Sequence, residues 1–174
     1  PNLEIIKGDV LNKDDVAKTI EGTSAIINLI GHVKGSPANL QVQATSNILD
    51  NMQKMKISRI ISLTGGGVRD MDNDHPNFLD KMVVFIMKHL AGKGTRDTLM
   101  DGINHAELIK RSDTNWTIMR APMLNEDPPK EKIEVGYVGT IKGFKLTRED
   151  LAIFIRDVIP HKKYFHKMPF LTNG

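Results

Sequence analysis

Short apolar runs alternate with longer polar stretches along most of the chain. Four of these runs have the length and composition of buried strands, namely residues 3–8, 25–30, 59–63 and 116–120. The first three are each followed by a polar stretch that is compatible with a helix. Strands that alternate with helices are joined by right-handed crossovers rather than hairpins, so the pattern predicts one parallel sheet with helices on both faces. Another α/β fold with unrelated buried strands is the alternative.

The helices are predicted from apolar periodicity and from end signals. They cover residues 12–20, 37–55, 78–91, 95–110 and 147–158, and residues 133–138 are predicted to form a further strand. Asn12 and Thr147 are suited to cap the first and last of these helices. Ser36 is suited to cap the second, with Pro37 in its first turn. Because no repeat or linker divides the chain, we expect a single domain over residues 1–174.

The strand at residues 116–120 has the clearest end. Pro122 has no backbone N–H to donate, so the chain must leave the sheet there. Residues just past the carboxyl ends of parallel strands line ligand crevices in open sheets. Gly31 and Thr64 also follow predicted strands, and we therefore expect Gly31, Thr64 and Pro122 to converge on one crevice.

The charge of the chain gives little support for a nucleic-acid partner. The formal net charge is +3, and the longest basic cluster, residues 161–163, lacks the interleaved aromatic side chains that bind single strands. We interpret this cluster as a solvated tail and expect no nucleic acid to bind.

The chain contains no cysteine, which excludes disulfides and thiolate metal sites and fits a reducing cytoplasm. No apolar run approaches the roughly 18 residues that a membrane span needs, so we expect a cytoplasmic protein without a membrane partner. Residues 82–90 form the most apolar helical piece, and we expect it to be either a core helix or a partner-facing one. The six histidines show no metal-ligand spacing.

Five segments occur in the order and at the distances of a known family. They are Gly8-Asp9-Val10, residues 25–31 (AIINLIG), 59–66 (RIISLTGG), 116–122 (WTIMRAP) and 146–152 (LTREDLA). Together they resemble the atypical short-chain dehydrogenase/reductase group, and within it the NAD(P)H-binding proteins similar to biliverdin and flavin reductases and the NmrA-like regulators. The resemblance implies a Rossmann-like, doubly wound parallel sheet that binds NADP, with NAD as a possibility, and a small-molecule substrate.

One part of the family pattern is missing from this chain. The family begins with a strand, a glycine-rich phosphate turn, a helix and a second strand, whereas Gly65-Gly66-Gly67 follows a later strand and opens a loop. A doubly wound sheet without its central first strand would expose two unpaired edges. We therefore expect the missing elements to precede Pro1. The alternative is that the protein has lost its pyrophosphate site.

The resemblance assigns the adenine and ribose end of the cofactor to the first two strand ends. It implies that Asp9 and Val10 contact the adenine, and that Leu29, Ile30 and Gly31 approach the ribose and phosphates. Asp9 could equally be a helix cap, and Gly31 a plain turn glycine.

The nicotinamide end is assigned to the next two strand ends. The resemblance places Ser62 and Thr64 where related reductases carry an active-site hydroxyl, and Ala121 and Pro122 beside the nicotinamide. We take Thr64 as the catalytic candidate. The alternatives are satisfied hydroxyls at a sheet end and a proline that only terminates the strand.

The Tyr-x-x-x-Lys pair of ordinary short-chain dehydrogenases is absent, because Tyr137 is followed four residues later by Ile141 and Tyr164 by Met168. We expect an NAD(P)H-dependent oxidoreductase that transfers hydride to a flavin, a quinone or a small carbonyl acceptor. The alternative is a non-catalytic NAD(P) sensor of the NmrA-like type, while the missing tyrosine disfavours a sugar-nucleotide epimerase. His32, directly after Gly31, is either a second candidate at the site or an ordinary loop histidine.

Overall fold

The computed structural model describes residues 3–174. Its helices are α1 (Lys13–Ile20), α2 (Leu40–Met55), α3 (Phe78–His89), α4 (Lys93–Lys110) and α5 (Arg148–Val158). Its strands are β1 (Ala25–Asn28), β2 (Arg59–Gly65), β3 (Asn115–Ala121), β4 (Met123–Asn125), β5 (Glu134–Gly136), β6 (Lys145–Thr147) and β7 (Phe170–Thr172). One 3₁₀ turn, Lys162–Tyr164, lies in the connection between α5 and β7.

The main sheet has five strands in the order β1-β2-β3-β7-β5. The pairs β1–β2, β2–β3 and β3–β7 are parallel, and only β5 is antiparallel to its neighbour. β4 and β6 form a separate parallel pair. The parallel arrangement predicted for three of the four apolar runs is therefore confirmed.

Helices cover both faces of this sheet, as the alternation of strands and helices predicted. On one face, apolar side chains of α1, α2 and α4 pack against Ile60 and Ile118 of the sheet. On the other face, α5 packs through Leu151, Phe154 and Val158 against Ile61 and Met119. Ile60 and Ile61 are neighbours in β2, and they enter opposite cores because successive strand side chains alternate in direction.

The strand expected at residues 3–8 does not form. These residues have no ladder partner among the described residues, and Leu3 and Ile5 are 82% and 86% exposed. Among the strands that the structure describes, β1 pairs only with β2. An apolar run becomes a strand only where a neighbouring backbone accepts and donates its hydrogen bonds, and within residues 3–174 none does so here.

The expected start of α2 is also wrong. The helix begins at Leu40, and Ser36 does not cap it, because the Ser36 hydroxyl accepts instead from Val33 N at 3.0 Å. The helix N-terminus is held by a carboxylate from α4, as described below. The other sequence-based helix caps are confirmed: Asn12 accepts from Asp14 N, and Thr147 accepts from Asp150 N.

Candidate functional site

A cavity of about 560 Å³, called the larger cavity because a smaller cleft lies nearby, is found at the carboxyl ends of β2 and β3. Its walls come from the turn after β2, the segment after β3, the inner side of α3 and the loop between β5 and β6. The residues that line it include Gly66, Arg69, Val84, Met87, Pro122, Lys142 and Phe144. The position agrees with the general rule that ligands bind past the carboxyl ends of parallel strands.

A buried ion pair fixes the loop that follows β2. Arg120 in β3 is fully buried, and its guanidinium lies 2.9 Å from the Asp74 carboxylate through Nη2 and Oδ1. Burial of Asp74 would raise the pKa of its carboxyl, but the hydrogen bonds and charge of Arg120 outweigh this effect and hold the pKa below its usual value. Val138 N also donates to Asp74, at 3.0 Å. One carboxylate thus joins β3 to both loops that wall the cavity.

The cavity is apolar with two cations in its wall. Val83, Val84 and Met87 line it from α3, and Arg69 and Lys142 line it from the two loops. Burial lowers the pKa of Arg69, although an arginine stays protonated at neutral pH. The arrangement suits a ligand with an apolar body.

A second cleft, of about 280 Å³, lies beside the end of β1. It contains four of the predicted cofactor residues: Asp9, Val10, Leu29 and Ile30. The Asp9 carboxylate accepts from Leu11 N at 2.9 Å through Oδ1, and within residues 3–174 its Oδ2 accepts no hydrogen bond. A cleft with apolar walls and the carboxylates of Asp9 and Asp15 has the chemistry to hold an adenine edge and a ribose hydroxyl, so the residues present fit this end of a dinucleotide.

The two predicted hydroxyl residues of β2 are buried and line neither of these cavities. Ser62 Oγ lies 3.0 Å from His105 Nε2, and His105 Nδ1 lies 2.6 Å from Thr45 Oγ1. Burial lowers the pKa of His105 to about 4, so the ring is neutral at pH 7. Thr64 is 4% exposed, and its hydroxyl is the one buried side-chain polar atom among residues 3–174 without a hydrogen-bond partner.

A buried aspartate and two histidines make hydrogen bonds that the sequence analysis did not identify. Asp101 in α4 accepts hydrogen bonds from Gln41 N and Val42 N, and so caps α2 from another helix. Its Oδ2 also lies 2.8 Å from His32 Nε2, which fixes the residue that follows Gly31. Asp101 and His105 are four residues apart, so they share one helix face. This spacing is the sequence signal that could have identified them as a pair.

The predicted residues are therefore brought to one end of the sheet but not into one cavity. Thr64 and Arg120 are register partners, and so are Gly65 and Ala121, which places Pro122 beside the turn after β2. Ala121 and Pro122 line the larger cavity, whereas the residues from the first two strand ends line the smaller cleft. Gly31 follows β1 and lines neither. A Cβ atom at Gly31 would meet no atom within 4 Å, so the fold itself does not require glycine there.

Solved structures with the same fold include several NAD(P)-binding proteins. A short-chain dehydrogenase/reductase from Veillonella parvula in complex with NADP matches with a TM-score of 0.71 and 16% identity, over 95% of this chain and 70% of that chain. The oxidoreductase YlbE from Lactococcus lactis has a TM-score of 0.71 and 17% identity, over 96% and 70%. ChuY, an anaerobillin reductase from Escherichia coli O157:H7, has a TM-score of 0.69 and 15% identity, over 97% and 74%.

At these identities the structural matches show the fold alone, and none of the curated proteins matches the chain significantly in sequence. The family described as NAD(P)H-binding matches residues 1–162, which is most of the chain. The match agrees with the Rossmann-like sheet and with the cleft at the end of β1. The chain is a member of the NAD(P)H-binding family.

Proposed function

We propose that the protein is an NAD(P)H-dependent oxidoreductase, with NADP as the preferred cofactor, that reduces a small planar or carbonyl acceptor such as a flavin or a quinone. The observation that carries the proposal is the separation of two sites at one end of the sheet. The smaller cleft has the residues to hold an adenosine, and the larger cavity, at the next two strand ends, has the volume and apolar walls of a small-molecule site.

The cofactor end is supported by the residues of the smaller cleft. Asp9 offers a carboxylate oxygen, and Val10, Leu29 and Ile30 offer apolar walls. Gly31 follows in the chain without any contact that would forbid a side chain, which is consistent with a glycine kept for close approach of a ligand.

The acceptor end is supported by the apolar walls of the larger cavity. Val84 and Met87 provide a surface for the flat face of an acceptor, and Pro122 closes the cavity at the end of β3. A reduced nicotinamide supplies a hydride when it is bound, and the proton that completes the reduction comes from solvent in this proposal. These side chains then act by orienting the acceptor and by excluding water.

Thr64 is the proposed catalytic residue. Its hydroxyl lies at the end of β2 and is unpaired, although buried polar groups are usually hydrogen-bonded. The unused donor and acceptor capacity is consistent with a contact that forms only in the complex. The hydroxyl is buried against α4, because a Cβ atom added at Gly102 would lie 3.0 Å from it, and the test must therefore separate a catalytic contact from a purely structural one.

A turnover assay tests this proposal. The oxidation of NADPH and of NADH is followed by absorbance, with flavins, quinones and small carbonyls supplied in turn as acceptors. Replacing Thr64 with Val should leave the cofactor dissociation constant unchanged and lower kcat by roughly ten-fold or more, because the lost contact is made in the transition state. Thr64→Ser keeps the hydroxyl and should keep most of the activity. If the valine variant is as active as the wild type and melts higher, the hydroxyl is only a buried unpaired group.

The sensor alternative has one observation in its favour. Among the residues that line the larger cavity, only Arg69, Asp80 and Lys142 have ionisable side chains, and none carries a hydroxyl that could relay a proton. A protein that binds a dinucleotide tightly but oxidises it with none of these acceptors would be a sensor. If neither dinucleotide changes protein fluorescence or melting temperature, both functions are excluded.

A further inference from the structure

Helix α3 is the most apolar helix of the chain, yet none of its residues is buried. Its inner side, with Val83, Val84 and Met87, lines the larger cavity. Its opposite side is exposed to solvent and carries Phe78 (77% exposed), Leu79 (61%), Met82 (40%), Phe85 (56%), Ile86 (38%) and, at the cap, Leu90 (69%). We call these six residues the α3 outer face. The sequence predicted either a core helix or a partner-facing helix. Because no residue of α3 is buried, a core helix is excluded.

Two further exposed apolar residues lie at the larger cavity. Phe144 and Met123 both line that cavity and are 77% and 60% exposed. Single exposed apolar residues are common on protein surfaces, but the six residues of the α3 outer face lie at helical spacing along one side of one helix, and a group of this size marks an interaction site.

The exposed charged side chains of α3 are lysines. Lys81, Lys88 and Lys93 are exposed and form no ion pair among residues 3–174. The carboxylate within α3, Asp80, accepts from the backbone of Asn77 in a capping box and lines the cavity. The outer face is therefore apolar, with lysines beside it and no outward carboxylate on the helix.

From these features we propose that the α3 outer face docks on the surface of an anionic phospholipid bilayer. Helices that lie in a membrane interface combine an apolar face rich in Phe and Leu with flanking lysines, which are attracted to anionic headgroups. Within residues 3–174 no helix has the length and apolarity needed to cross a bilayer, so the contact is with its surface. The proposal revises the sequence-based expectation that no membrane is a partner.

A second copy of the chain fits this face less well. In a two-fold dimer the same patch meets itself, so Lys81 and Lys88 would bring like charges to both halves of the interface. Asp80 is engaged at the helix start and at the cavity, so no carboxylate of α3 lies between these lysines to offset their repulsion. An anionic surface, by contrast, complements the lysines and the apolar residues together.

Co-sedimentation with lipid vesicles tests the proposal without cofactor or acceptor, so its outcome is independent of the proposed reductase activity. The probes are vesicles of phosphatidylcholine with one quarter phosphatidylglycerol, and vesicles of phosphatidylcholine alone. We expect binding to the mixed vesicles that is at least ten-fold stronger and that weakens as salt screens the surface charge.

Two double variants and two matched controls identify the face. Phe78→Ser/Phe85→Ser should lower the partition coefficient at least ten-fold, and Lys81→Glu/Lys88→Glu should remove the preference for phosphatidylglycerol. The controls are Leu3→Ser/Ile5→Ser and Lys18→Glu/Lys54→Glu, which change exposed residues elsewhere by the same chemistry and should bind as the wild type does. Melting curves check that each variant folds.

Three results would overturn the proposal. One is the absence of binding to either vesicle, and another is equal loss of binding in the matched controls. The third is a dimer in sedimentation velocity that Phe78→Ser/Phe85→Ser converts to a monomer while vesicles do not bind. That result would assign the α3 outer face to a second copy of the chain.

Discussion

At the scale of single residues, the chemistry of this protein depends on which hydroxyls and rings are already hydrogen-bonded. Ser62 is committed to His105 and leaves no contact for a ligand, whereas Thr64 Oγ1 is unpaired. His105 sits between two hydroxyls, and a neutral imidazole satisfies both because one ring nitrogen donates and the other accepts. Protonation would turn both nitrogens into donors and place a charge in a buried site.

This burial predicts a stability that depends on pH. The folded pKa of His105 is lowered from 6.5 to about 4, so between these values the unfolded chain binds a proton that the folded chain does not. Stability is therefore complete above pH 6.5 and falls towards pH 4, by about 3 kcal/mol from this residue. Denaturant unfolding across this range should show a smaller decrease for His105→Gln. The exposed His161, replaced in the same way, provides the control and should leave the pH dependence unchanged.

At the scale of elements, the cavity is held by contacts between loops rather than by the strands themselves. Asp74 joins β3 to both loops, and His75 N donates to Val138 O at 2.8 Å. The two backbones approach so closely that a Cβ atom at Gly139 would lie 1.9 Å from His75 O. Gly139 also has a φ of +88°, a conformation that other residues adopt only with strain.

We therefore expect Gly139→Ala to destabilise the protein by about 2 kcal/mol or more, through the steric clash and the unfavourable φ. Gly31→Ala is the matched control, since its added methyl group meets no atom within 4 Å and should change the free energy of unfolding by less than about 0.5 kcal/mol. Thermal unfolding of both variants measures the difference. Equal melting temperatures would show that the two loops separate without cost.

At the scale of the whole molecule, the last described strand completes the sheet. β7 lies between β3 and β5 and pairs with both, although β3 lies far from it in sequence. Leu171 is fully buried in the core under α5, while its register partner Val135 is 38% exposed. The C-terminal segment is thus part of the core, even though the basic cluster at residues 161–163 is exposed as the sequence predicted.

The same strand gives a prediction about global stability. Leu171→Ala should lower the free energy of unfolding by about 2–5 kcal/mol, because it removes buried side-chain atoms and leaves a cavity. Val135→Ala, directly across the ladder, should cost less than about 1.5 kcal/mol, since its side chain is partly solvated. Guanidinium unfolding compares the two. Similar costs at both positions would contradict the packing described for β7.

The sequence by itself determined the features that depend on neighbouring residues. Apolar runs with turn residues behind them located β1, β2 and β3, and side-chain oxygens next to orphan N–H groups located the starts of α1 and α5. Parallel pairing followed, because helices must connect such strands. These signals are local, and tertiary contacts did not override them.

Only the tertiary structure decided which side chains are available for chemistry. The apolar pattern of residues 3–8 predicted a strand, but a strand needs a neighbouring backbone to pair with. Among the described residues, no backbone pairs with this segment. Asp101 of α4 caps the start of α2, and the buried hydroxyl of Ser62 is hydrogen-bonded to His105. Both contacts join residues that are far apart in sequence. The outward face of α3 was decided in the same way, because an apolar helix is buried only where another surface covers it.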